Sequence, residues 1–117
     1  MNSISITSQV TKNIEFKRTE TNNDGRNTIQ LFAELPDNNV TDISITRSVG
    51  DSDEGRLSTI FTTYTIFFIN GREEMKLTSE VISSLVHIAF PDFDIEPPNY
   101  CITIHEKINV AYLTEFK

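Results

Sequence analysis

Between Ile60 and Leu77 the chain runs through an almost unbroken series of β-branched and aromatic residues to Asn70-Gly71, and then on through Arg72, Glu73, Glu74, Met75 and Lys76. Asn-Gly after such a run is a strong hairpin signal, because both residues accept the positive φ of a type I′ turn. With Asn70 and Gly71 both at positive φ, Ile66 falls opposite Met75 and Tyr64 opposite Leu77. Alternation then puts Tyr64, Ile66, Met75 and Leu77 on one face, which is the core face. The other face carries Phe61, Phe67 and Ile69 beside Arg72, Glu74 and Lys76, a mixture that is neither clean core nor clean surface. A partner contact is expected there.

The strand pattern recurs along the chain. Ile4, Ile6, Val10, Ile14 and Phe16 share one parity, as one long strand or as two short ones bent at Thr11-Lys12-Asn13. Asn22-Asn23-Asp24-Gly25 is a turn cluster. Ile29, Leu31, Ala33 and Leu35 alternate in a second strand, and Val40, Ile43 and Ile45 lie in a third that ends at Val49-Gly50. Asp51-Ser52-Asp53-Glu54-Gly55 reads as a charged loop. Tyr100, Ile102 and Ile104 alternate, as do Ile108, Val110, Tyr112 and Phe116, although 111–116 could also close as a short helix.

One segment has helical spacing instead. Val81, Ile82, Leu85, Val86, Ile88 and Ala89 form one apolar arc, while Glu80, Ser83, Ser84 and His87 face the other way. Thr78 or Ser79 can cap it, Glu80 suits the helix dipole in the first turn, and Pro91 stops it. The fold class is therefore α+β: a mainly antiparallel sheet of about six to seven strands with one amphipathic helix, about 79–90, packed on it. No repeat or long linker divides the chain, so 1–117 is read as a single domain. A short helix covers one side of such a sheet, and the other must curl, meet a second sheet, or meet a partner.

Composition narrows the function classes. A net charge of −7 argues against direct nucleic-acid binding and suits a basic protein partner. No apolar run has the ~18 residues of a membrane-spanning helix, and the first residues lack the basic and apolar regions of a signal peptide. With a single cysteine there is no internal disulfide, and a cytoplasmic location is expected.

No motif specifies a chemistry. Glu80, Ser83, Ser84 and His87 supply the residue types of nucleophilic catalysis but lie on the hydrophilic face of a surface helix. Cys101 and His105 share a strand face yet stand ~13 Å apart, too far for a dyad. Asp51, Asp53 and Glu54, and separately Asp92, Asp94 and Glu96, are hard oxygen donors, but neither set has the EF-hand order. No catalytic, cofactor-binding or metal-binding residue is therefore assigned, and no cofactor is expected. Asp92, Asp94 and Glu96 alternate with Phe93 and Ile95, which are read as tucking under the sheet and pinning their loop.

The expectation is a small acidic binding protein without catalytic activity, which inhibits or neutralises a specific basic partner in the manner of toxin-immunity proteins or phage inhibitors. Its contact residues are Phe61, Phe67, Ile69 and Glu74, with Asp51, Asp53, Glu54, Asp92, Asp94 and Glu96 attracting the partner. The alternative is a structural subunit of a viral or phage-like assembly. Homo-oligomerisation is compatible with both.

Overall fold

The computed structural model describes residues 3–6, 12–23, 26–34, 40–54, 57–71, 77–93, 100–106 and 108–116. The strands are β1 (Ser3–Ile6), β2 (Lys12–Glu15), β3 (Lys17–Asn23), β4 (Arg26–Glu34), β5 (Val40–Glu54), β6 (Leu57–Asn70), β7 (Tyr100–Ile104) and β8 (Val110–Phe116). The helix α1 (Ser79–Ala89) lies between β6 and β7 in sequence. All described pairings are antiparallel, in a six-stranded sheet of order β3-β4-β5-β6-β8-β7 and a separate β1-β2 pair. The α+β architecture follows from the sequence pattern, with α1 packed on one face of the large sheet and β1 against α1. The first apolar segment forms two short strands, with Ile4 opposite Ile14.

The inner face is built in rows. Ile29, Ile45, Ile66, Ala111 and Ile104 stand side by side across five strands, and Leu31, Ile43 and Phe68 form the next row. Ile29, Ile45, Ile66, Leu31, Ile43 and Phe68 are fully buried. Val81, Ile82, Leu85, Val86, Ile88 and Ala89 of α1 close over them, each large side chain contributing about 1.5–3 kcal/mol by leaving water. Thr78 caps the helix by accepting a hydrogen bond from the Val81 N–H at 3.2 Å, an interaction worth about 1 kcal/mol. Phe93 is buried after the helix, as expected of a residue that pins its loop.

Several expectations fail for identifiable reasons. Ile66 pairs with Ile45 on one edge and Ala111 on the other, so it has no edge left for Met75. Long-range pairing overrides the local hairpin signal. Asn70 instead ends β6 opposite Asp42, and Gly71 alone of the two belongs to no strand. Gly71 does have the expected positive φ, +88°, while Arg72, Glu73, Glu74, Met75 and Lys76 lie outside the described residues. The charged segment 51–54 is not a loop: Asp51, Asp53 and Glu54 continue β5, opposite Ile60, Ser58 and Leu57. Strand β3 has no apolar alternation to announce it, because it is an exposed edge strand. Its charged side chains discourage a further strand from adding there, and Arg18 reaches inward to donate from Nε to the Ala89 carbonyl at 3.0 Å.

Strand β8 is extended rather than helical, and its inward residues are Ala111 and Leu113. The alternating set Ile108, Val110, Tyr112 and Phe116 is therefore not the core set; Ile108, Tyr112 and Phe116 are exposed. Ser83 also departs from expectation. It is buried, and its hydroxyl donates to the Ser79 carbonyl at 2.6 Å.

Candidate functional site

The outer face of the large sheet is covered by no described element. Register places Ser44, Thr46 and Ser48 of β5 beside Thr63, Thr65 and Phe67 of β6, followed by Val110, Tyr112 and Thr114 of β8 and Cys101 and Thr103 of β7. None of these carries a formal charge. One row consists of Thr21, Thr28, Thr46, Thr65, Tyr112 and Thr103. Within it the Thr28 and Thr46 hydroxyls are hydrogen-bonded at 3.1 Å. Such cross-strand pairs stabilise the sheet by about 0.2–1 kcal/mol each, and they leave a neutral surface of hydroxyl and methyl groups.

Apolar side chains flank this band at both ends. Phe67, opposite Val110, is 46% exposed, and Ile69 is 45% exposed. Ile69 is the unpaired residue of a bulge, since Ile43 faces Phe68 while Asp42 faces Asn70. At the far end Phe61 lies opposite Phe116, which is 47% exposed. Phe61 is half-buried because its ring lies over Gly50; a Cβ on that glycine would come within 2.8 Å of the ring. Tyr112 stands between the two ends, its ring edge-on to His105 at 5.6 Å.

The expected contact residues are therefore only partly united. Phe61, Phe67 and Ile69 share the outer side of β6, but six residues of strand, ~20 Å, separate Phe61 from Phe67. Asp51, Asp53 and Glu54 are at the end of the β5-β6 ribbon, beyond the Gly50–Phe61 pair. Asp92 is not on this face: it lies on the helix side, where Arg47 Nη1 donates to both its carboxylate oxygens at 3.0 and 3.1 Å. Glu74, Asp94 and Glu96 lie outside the described residues.

Sequence reasoning missed Tyr112 and Phe116 as outward residues. Their alternation was visible, but the run Val-Ala-Tyr-Leu-Thr-Glu-Phe is apolar on both parities, and only its register shows which one faces in. Arg47 was missed as well. It is a cation on the inner side, between Asn27 and Tyr64 in its row, and its guanidinium stacks on the Phe90 ring at 4.3 Å from the centroid. It also hydrogen-bonds the Tyr64 phenol, yet that group is held above the ordinary value of 10.0, first by burial and next by the Glu115 carboxylate.

The helix residues considered for catalysis are engaged elsewhere. Ser83 is bonded to the helix backbone, and His87 donates from Nδ1 to the Phe93 carbonyl at 2.8 Å. Cys101 is exposed on the edge strand β7. Among the described residues no helix is long and apolar enough to cross a membrane. No protein-family model, curated protein or solved structure matches the chain.

Proposed function

We propose that this chain is a small binding protein without catalytic activity, which inhibits or neutralises a specific basic protein through the outer face of its sheet. The observation that carries this reading is the exposure of Phe67, Tyr112 and Phe116 around an uncharged threonine band. Aromatic anchors on a charge-depleted centre with charged margins are the usual anatomy of a protein contact. A net charge of −7 would steer a basic partner toward the protein. A reducing cytoplasmic setting suits the single cysteine.

The test is comparative capture, with wild type, Phe67→Ala and Phe116→Ala as baits. One basic protein held by wild type, lost from both variants, and associating more slowly as salt rises supports the reading. A partner held equally by all three baits overturns the surface assignment. The second reading, a subunit of a viral or phage-like assembly, is favoured by the neutrality of the same face. It would let two copies meet without opposing charges at the contact. Sedimentation velocity over a range of concentrations separates the two readings: oligomers that form with wild type but not with Phe67→Ala favour the assembly subunit.

A further inference from the structure

On the helix side the sheet runs on past the cover of α1, and the next row is Val49, Thr62 and Glu115. Together with Arg47, Tyr64 and Asp92 this row lines a cleft of about 440 Å³. The groups of the cleft are unequally used. Arg47 is committed to Asp92, to the Phe90 ring and to the Tyr64 phenol. Glu115 is half-buried and makes no hydrogen bond or ion pair among the described residues. Thr62, directly opposite Glu115, is only 6% exposed, and its hydroxyl likewise has no hydrogen-bond partner among them.

Both groups line the cleft, where a carboxylate and a hydroxyl that no described group satisfies are open to a ligand or to water. Since Asp92 balances Arg47, the unbalanced charge of the cleft is that of Glu115. Its field already disfavours the ionised Tyr64 phenol. An anionic ligand would meet that same field. A primary ammonium matches what is unspent, because its N–H donors can reach the carboxylate and the hydroxyl oxygen together while its alkyl stem lies along Val49. We propose that this cleft binds a primary alkylammonium group, with Glu115 as counter-ion and Thr62 as second acceptor. The group would be supplied by a lysine side chain of a protein or by a free alkylamine. The site lies on the face opposite the proposed contact surface and does not depend on that reading.

The test is an NMR titration of the full chain with n-butylammonium, and with tetramethylammonium as an ion of equal charge that has no N–H. The expected result is saturable shifts of the Thr62 and Glu115 amides with n-butylammonium, and binding of tetramethylammonium weaker by about tenfold. Glu115→Gln should weaken n-butylammonium binding by about tenfold or more, with the melting temperature unchanged. Thr62→Val, close to the native shape, should weaken it several-fold and serves if the first variant does not fold. A parallel titration with Nα-acetyl-lysine methylamide identifies the source. Tighter binding than n-butylammonium assigns the cleft to a lysine within a chain, and equal binding assigns it to the free amine; both support the proposal. Absence of saturation, equal binding of tetramethylammonium, or insensitivity to both substitutions overturns it.

Discussion

Phe67 and Phe68 are adjacent on β6, yet one is 46% exposed and the other is fully buried. Phe68 stands opposite Ile43 in an apolar row closed by α1, whereas Phe67 lies beside Ser44 and Val110 on the uncovered face. The contrast extends across the sheet: isoleucines and leucines repeat on the inner side, threonines and serines on the outer. The alternation of the strand therefore carries two different tasks. One face supplies the burial that stabilises the domain, and the other contributes little to stability and is open to contact.

A large effect is expected on the inner side from Ile66→Ala. It should cost about 2–5 kcal/mol in urea unfolding, because the site is enclosed by Ile45, Ala111 and the helix. A loss below about 1 kcal/mol would mean that the inner row is loosely packed. Next is Gly71→Ala at the edge of the core. Its φ of +88° is costly for a residue with a side chain, and a Cβ there would come within 2.6 Å of Thr41 Oγ1 and 2.8 Å of Thr41 Cα. Destabilisation of roughly 1–2 kcal/mol or more is expected from the backbone alone, and a neutral result would contradict the turn geometry.

Thr41→Val should act in the opposite direction. The Thr41 hydroxyl is fully buried and has no hydrogen-bond partner among the described residues, so an apolar residue of the same shape should gain about 1 kcal/mol. A loss would show that the hydroxyl is satisfied in solution. The smallest effect concerns Tyr64. Because its pKa is raised by folding, the folded state keeps a proton that the unfolded chain releases as pH rises past 10.0. Its contribution to stability is complete below that pH and is lost as pH rises through the higher folded value. Tyr64→Phe should therefore show a shallower alkaline decline in stability than wild type, and equal slopes would remove Tyr64 from the account of that decline.

The face assignment of β6 was legible before its pairing was. Period-2 alternation fixes which of Tyr64, Ile66 and Phe67 point together whatever strand lies alongside, so a wrong partner for Ile66 left the faces intact. The helix was legible in full except at Ser83, where a small hydroxyl satisfied by its own helix backbone sits at a buried position. Strand β3 and the extension of β5 through 51–54 were not legible, because polar strands at an edge or in a ribbon carry no burial pattern. The Arg47–Asp92 tie was illegible for another reason: 45 residues separate the partners, and only the packing of the helix end against β5 unites them. The outward apolar residues were half legible. Phe67 and Ile69 fell on the uncovered face, while Tyr112 and Phe116 needed a register that only the assembled sheet supplies.

The division between the faces is tested most directly by urea unfolding of Phe67→Ala and Phe68→Ala side by side. These substitutions are identical in chemistry and one residue apart. Phe68→Ala should lose about 3–5 kcal/mol, and Phe67→Ala less than about 1 kcal/mol. Comparable losses at both positions would mean that the outer face is covered within the chain, and its role as a contact surface would fall.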